Sequence, residues 1–290
     1  MDSTHLFYVR GRGLGHLTRI SQFVKFLNIR GRVFIVGDEP FGARIFPSSQ
    51  GFEYLLAPVD PGTAGRWLKD NLDKIIPEYF YTDVFPSGIY GEIEDFVVPD
   101  HCYRIHTARN LKFSVLKETL SGVHYPVKYH STYVFEELED EHRKYLDAHS
   151  RMVWKVGASY DIERVERSEL PEFCRDPFHL VVHSGPQSEV IQLIEMARSA
   201  DLDGKFKCVV CTPFDLSGLH YSRMEEFHFI DYFPANHFFP HAEMIFTGAG
   251  FNCIHEINQM GLKAKHISIP FDRALDNQLL RHEKYRRKNL

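Results

Sequence analysis

The chain has 290 residues, 43% hydrophobic and 25% charged, with a formal net charge of −5. At roughly 150 residues per domain that is the length of two globular domains, each able to bury a core. The balance excludes a disordered chain, a collagen-like repeat and a small disulfide scaffold, and the net negative charge disfavours a general nucleic-acid binder. The five cysteines, at 102, 174, 208, 211 and 253, are scattered and odd in number, which suits a reducing cytoplasm. No apolar run approaches the roughly 18 residues of a membrane span. Met1–His5 enters a strand-like run with no basic segment before an apolar stretch, so no signal peptide is expected.

Strand-like and helix-like runs alternate, the pattern of an α/β fold with parallel sheets. His5–Arg10 reads as the first strand. Leu17, Ile20, Phe23, Val24 and Leu27 recur at helical spacing over 16–29, with Gly31 as the stop. Strands are expected at Arg32–Val36, Glu53–Ala57, Tyr79–Val84, Cys102–His106 and Thr132–Phe135, with Pro- and Gly-punctuated loops between them. The charged run 136–147 reads as a solvated helix face. Residues 157–176 lack periodicity and read as a linker, which puts a domain boundary near 155.

The alternation then restarts. Phe178–His183, Phe206–Cys211, Phe227–Asp231, Met244–Thr247 and Ala264–Ile269 read as strands. Ser188–Arg198, Phe251–Met260 and Asp276–Lys288 read as helices. The expected organisation is a first Rossmann-like domain over 1–155 and a second over 156–275. A terminal segment, 276–290, is expected to cross back to the first. In doubly wound folds ligands bind beyond the carboxyl ends of the strands. Cys208 and Cys211 have metal-ligand spacing but lie on one strand, where residues three apart face opposite ways.

Two loops carry chemistry. Strand one runs into Gly11-Arg-Gly13-Leu-Gly15-His16, whose glycines let backbone approach a ligand. A dinucleotide fingerprint fits Gly11 and Gly13, with Asp38 as ribose acid, but has His16 at its third glycine. His16 would start a helix at the sheet's carboxyl edge, where the helix terminus keeps an imidazole neutral and able to take a proton. Arg19 shares its helix face and could meet an anion. The competing reading is a capping His16 with Arg19 in water.

The second loop lies in the segment 243–277. A strand ends at Gly248-Ala249-Gly250 and a helix opens at Phe251, which makes an anion site of its free N–H groups. Glu256, on the second turn, could accept hydrogen bonds from paired sugar hydroxyls. Asp276, Asn277 and Gln278 suit a polyhydroxylated ligand.

The ordered set GRGLGH (11–16), the unit Gly250, Glu256, Gly261 and the segment Pro270–Gln278 resembles the GT-B glycosyltransferases. The closest resemblance is to the family 28 group that includes the peptidoglycan N-acetylglucosaminyltransferase. That resemblance implies two Rossmann-like doubly wound domains facing across a cleft. It implies His16 as catalytic base, with the donor diphosphate at Gly248, Ala249 and Gly250, Phe251 in the donor site and the donor ribose at Glu256. The donor sugar would lie at Asn277 and Gln278. Ser184 and Gly185 would form a second phosphate loop, and Ile230 would offer backbone to uracil. Gly13, Gly15, Arg19 and Asp276 complete the expected binding set. The chain departs from the pattern at Gly248, Cys253 and Arg281, where relatives carry His, Ser or Thr, and Asn.

The expected reaction is inverting, metal-independent transfer of a sugar from a nucleoside diphosphate, with UDP as the expected carrier, to an acceptor hydroxyl. Asp83 is expected to orient His16 as the Asp of a triad does. No cofactor is expected beyond the nucleotide-sugar co-substrate. The acceptor would be a small molecule, a glycan or a lipid-linked molecule, and nucleic acid is not an expected partner. The expected location is the cytoplasm. The basic helix 281–288 reads either as solvated or as a peripheral contact with the inner face of a membrane. Three alternatives use the same features: a nucleotide-sugar hydrolase of the pseudaminic-acid-pathway type, a sugar-nucleotide 2-epimerase, and a non-catalytic nucleotide-sugar binding module.

Overall fold

The computed structural model describes residues 3–11, 13–201, 203–214 and 227–287. The chain folds as two compact units, Met1–Ala158 with Arg273–Asn277, and Ser159–Asp272 with Gln278–Leu290. The helix expected to open at Asp276 begins at Gln278 and belongs to the second unit, while the five residues before it belong to the first.

The strands of the first unit are β1 (Thr4–Tyr8), β2 (Arg32–Gly37), β3 (Phe52–Leu56), β4 (Tyr79–Asp83), β5 (Tyr103–Ala108), β6 (Tyr129–Val134) and β7 (Ser150–Lys155). Its helices are α1 (Gly15–Phe26), α2 (Gly42–Ile45), α3 (Pro61–Ile75), α4 (Phe113–Ser121) and α5 (Asp140–His149). The strands form one sheet in the order β3-β2-β1-β4-β5-β6-β7, every neighbouring pair parallel. Parallel strands need a covered surface on both faces, and the alternating side chains of β1 meet that need. Leu6 and Tyr8 pack with Leu68 and Leu72 of α3, while Phe7 stacks on Tyr81 and Phe23 of α1 meets that Tyr81 edge-on. Each such buried Phe or Leu contributes about 1.5–3 kcal/mol.

The second unit has β8 (Phe178–Val182), β9 (Lys207–Cys211), β10 (Phe227–Ile230), β11 (Met244–Gly248) and β12 (His266–Ile269), with α6 (Gln187–Ala200), α7 (Phe251–Gln259) and α8 (Gln278–Arg287). Its sheet runs β10-β9-β8-β11-β12, again all parallel. One face carries Val181, Val210 and Phe246 under Val190, Leu193 and Ile194 of α6. The other carries Leu180, Val209 and Ile245 with Ile257 of α7. Cys208 lies in the first of these clusters and Cys211 in the second, on opposite faces as their spacing requires.

The sequence reading misses four elements and finds the rest within a few residues. It passes over α2, α3, α4 and β7. Each sheet reverses its winding once, between β1 and β4 and between β8 and β11, and the crevice at such a reversal is where ligands bind in these folds.

Candidate active site

His16 and Asp83 come from the two strands that flank the first reversal. His16 is the second residue of α1, just after the loop that leaves β1, and Asp83 ends β4. Both are buried, and His16 Nδ1 lies 2.8 Å from Asp83 Oδ2. A carboxylate only accepts, so Nδ1 carries the hydrogen and Nε2 keeps its lone pair. Arg19, one turn on, donates through Nε to Oδ1 at 3.1 Å and through Nη2 to Oδ2. Thr107 Oγ1 donates to Oδ1 at 2.8 Å. Arg19 Nη2 also approaches His16 Nδ1 to 3.3 Å, but both atoms carry hydrogens, so this is crowding around one carboxylate oxygen and not a third bond.

Burial alone would raise the Asp83 carboxyl. The Arg19 charge and the hydrogen bonds from His16 and Arg19 outweigh it and hold the group well below the usual carboxylate range. Burial likewise pushes the His16 imidazole down. Asp83 opposes the shift, Arg19 and Arg109 add to it, and the net result is a ring neutral at physiological pH. The arrangement is an oriented imidazole with a free, basic Nε2, the geometry of a general base.

Neighbouring backbone fits this arrangement closely. Val84, next to Asp83, adopts φ 64, a left-handed conformation that is costly for a β-branched residue. Its N–H bonds Thr107 O at 2.8 Å. The glycine loop does not present bare donors. Gly11 N–H donates to Asp38 Oδ1 at 3.1 Å and Gly13 N–H to Glu39 Oε1 at 2.9 Å. Asp38 also pairs with buried Arg10 at 3.3 Å. A dinucleotide pyrophosphate on this loop would have to displace both carboxylates, which argues against that reading. Arg19 is not in water; it is a buried partner of Asp83.

Asp276 and Asn277 are held by the first unit. Asp276 forms an ion pair with buried Arg109, and its backbone bridges to Leu111. Asn277 Nδ2 donates to Glu139 Oε1 at 3.1 Å, and Lys112 binds Arg273 O at 2.7 Å. Gln278, in the second unit, is buried and accepts the Phe271 N–H at 3.1 Å. Three residues expected to face a sugar thus each make an intramolecular bond.

In the second unit, β11 ends at Gly248 and Gly250 precedes α7 with no side-chain cap. Arg281 of α8 donates to Ala249 O at 3.1 Å and lies over the Phe251 ring. Glu256 is buried, and its carboxyl is pushed up to about 8 by burial, with Asn236 Nδ2 donating to it at 3.1 Å. A protonated carboxyl can both donate and accept, so it remains suited to a diol. Ser184 and Gly185 lie half-buried after β8. Ile230 ends β10, and its carbonyl accepts the Thr212 N–H at 3.0 Å.

Sequence reasoning passed over His183. Its Nε2 lies 2.6 Å from Glu189 Oε2, and its ring packs against Phe271. The available signal was a histidine at a strand's carboxyl end with an acid one helical turn into the next element.

Among the described residues no group of three or more His, Cys, Asp or Glu is placed to hold a metal ion, and no helix is long and apolar enough to cross a membrane.

Neither a family model nor a curated protein sequence matches the chain. Solved structures of similar fold do. The glycotransferase of kitacinnamycin is 13% identical with a TM-score of 0.61, over 100% of this chain and 85% of that one. UGT2 of Phytolacca americana, complexed with UDP-2-fluoro-glucose and pterostilbene, is 14% identical with a TM-score of 0.56, over 97% and 83%. UDP-N-acetylglucosamine 2-epimerase from Rickettsia bellii is 10% identical with a TM-score of 0.55, over 90% and 78%. The fold is therefore the α/β GT-B fold, with two parallel sheets of seven and five strands. At these identities the likeness defines architecture, which transferases and an epimerase share; the chemistry has to be read from the site.

Proposed function

We propose that the protein transfers a glycosyl group from a nucleoside-diphosphate sugar, with UDP as the carrier, to an acceptor hydroxyl, inverting the anomeric centre without a metal ion. One observation carries this reading: His16, kept neutral by burial and fixed by Asp83, presents a basic Nε2 at the first sheet's winding reversal. In this reading Nε2 takes the acceptor proton while the acceptor oxygen attacks the anomeric carbon. Asp83 and Arg19 hold the ring, and Asp83 stabilises the imidazolium that forms. The second unit binds the donor, with the uncapped start of α7 at the diphosphate and Glu256 at the ribose. The complex of the Phytolacca americana neighbour with UDP-2-fluoro-glucose supports a UDP-sugar as the donor class. The ordered motifs at 11–16, 250–261 and 270–278 are similar to those of the family 28 group and support that affiliation.

The test is a panel of nucleotide sugars, each incubated with and without candidate acceptors and with EDTA. Acceptor-dependent release of nucleoside diphosphate, insensitive to EDTA and lost in His16→Ala while donor binding survives, is the expected result. Release without an acceptor makes the protein a hydrolase. Binding without turnover under every condition makes it a binding module.

A further inference from the structure

His16 and Asp83 lie at the carboxyl ends of strands of the first sheet. A second cluster of charged groups lies at the opposite, amino ends. There a cavity of about 160 Å³, several times what one water needs, is lined by Asp100, Arg104, Lys128, Tyr129, His130 and Arg151. The pairing of three neighbouring parallel strands brings these residues together. Arg104 is the second residue of β5, Lys128 directly precedes β6, His130 is the second residue of β6 and Arg151 the second of β7. Thr107, which bonds Asp83, stands further along β5, roughly 10 Å from Arg104, so the cavity is separate from the His16–Asp83 pair.

The lining holds three fixed cations and one carboxylate. Asp95 pairs with Arg104 at 2.6 Å; counting it, the balance is still positive by one, in a chain whose net charge is −5. The exposed Arg151 side chain forms no ion pair or hydrogen bond among the described residues. Lys128 Nζ reaches only Ala148 O, at 3.4 Å. Arg104 is different, because its side chain is 6% exposed. Nη1 donates to Asp95, and Nη2 donates to Val98 O at 2.8 Å and to Asp100 at 3.2 Å. Asp100 is fully exposed, where an ion pair is worth little. One Nη1 hydrogen remains, and the buried Nε–H has no partner among the described residues, a rare condition for a buried donor. His130 Nδ1 accepts the Arg104 backbone N–H at 2.9 Å, so the neutral ring carries its hydrogen on Nε2. Burial pushes this imidazole down, and the nearby Arg151 and Arg104 charges add to the shift, which keeps it neutral at physiological pH.

We propose that this cavity at the amino ends of β5, β6 and β7 binds the phosphate group of a phosphate monoester. Such a group carries about −1.5 to −2 charges and three acceptor oxygens, whereas a carboxylate brings one charge and two oxygens. The cavity answers with two uncommitted cations at its mouth, a held guanidinium with hydrogens to spare and a fixed Nε2–H. Arg151 supplies a planar fork for two of the oxygens, and Lys128 a movable point charge. Arg104 keeps its buried position through Asp95 and Val98 O and exchanges the water-exposed Asp100 for the ligand. His130 contributes a neutral donor, and its Nδ1 stays on the backbone. The proposal is independent of the transferase reading, because every residue it uses belongs to the first unit and none touches His16 or Asp83.

The test follows the His130 Cε1–H resonance of the full chain, assigned through His130→Gln, as sodium phosphate is added at constant ionic strength. A signal on this ring does not register phosphate bound in the second unit. We expect a saturable shift. Arg151→Gln and Lys128→Gln, both at exposed positions that leave the fold intact, should each raise the phosphate Kd about tenfold, the worth of a hydrogen bond to a charged group. Pelleting with phosphatidylcholine vesicles, with and without phosphatidic acid, separates two sources of the phosphate. Pelleting that requires phosphatidic acid and is lost in Arg151→Gln assigns it to a lipid headgroup. Saturable phosphate binding without pelleting assigns it to a soluble phosphate compound. A shift that does not saturate, one that sodium chloride reproduces, or a Kd unchanged in both variants overturns the proposal.

Discussion

A Cβ built on Gly11 would lie 2.6 Å from Nε2 of His16, so the backbone of the glycine loop rests directly on the imidazole edge assigned to take the proton. Gly11 also has φ +146, where an L side chain is strained. Gly11→Ala is expected to cost about 1–3 kcal/mol of stability and to turn the ring from Asp83. Displacing a reacting group by about 1 Å costs on the order of 10²-fold in rate. Turnover should fall by that order while nucleoside diphosphate affinity stays at the wild-type value. Measuring kcat and Kd side by side checks it, and a rise in Kd of the same size would place the damage elsewhere.

The ion pair between Arg109 and Asp276 reaches the same histidine through charge. Arg109 helps to push the His16 imidazole down, and Asp276 is its partner. Asp276→Asn leaves the Arg109 charge uncompensated, so His16 should hold its proton less tightly. The acid limb of the pH–rate profile is then expected to move to lower pH. Arg109→Gln should move it to higher pH. If both variants shift the limb in the same direction, the effect is structural and the electrostatic account is wrong.

Buried histidines should set the acid stability. His142 is fully buried, stacks on Phe113 with centroids 4.9 Å apart, and is pushed down to about 4 by burial. His106 is pushed down to about 3, again mainly by burial. With a depressed folded-state value, each group favours the fold fully above its unfolded value of 6.5. Below that pH the unfolded chain takes up protons and the fold does not, so stability falls by about 1.4 kcal/mol per pH unit per histidine until the folded value is reached. His142→Phe keeps the stack and removes one such group. Its unfolding free energy relative to wild type should improve by about 2 kcal/mol between pH 7.5 and pH 5. Denaturant melts at the two pH values measure it, and a pH-independent difference would refute it.

What was legible in the sequence was whatever local spacing encodes. Leu17, Ile20, Phe23 and Val24 mark α1 because burial against a sheet demands that period. The glycine loop and the strand end at Asp83 are local features too, so two members of the first site could be named before their contact was known. What was missed depends on partners distant in sequence. The Ser150–Lys155 strand lies at the edge of its sheet with Met152 and Trp154 exposed, so it lacks the apolar run of an interior strand. In α3, Ala64, Leu68 and Leu72 keep helical spacing, but Gly62 and Gly65 read as loop punctuation. The packing of His183 against Gly248 joins the ends of two strands far apart in sequence, and nothing in the neighbourhood of either residue points to it.

Val84 carries a last implication. A β-branched residue stays at φ 64 only where its surroundings leave the chain no alternative, and here the Thr107 carbonyl holds its N–H at 2.8 Å. That bond and the Thr107 hydroxyl on Asp83 both come from β5, so the direction of the carboxylate is dictated by the sheet rather than by whatever binds above it. In the proposed reaction the base is thus assembled in advance. The reorganisation that a mobile dyad would undergo at each turnover has been met once, as tension in the folded backbone.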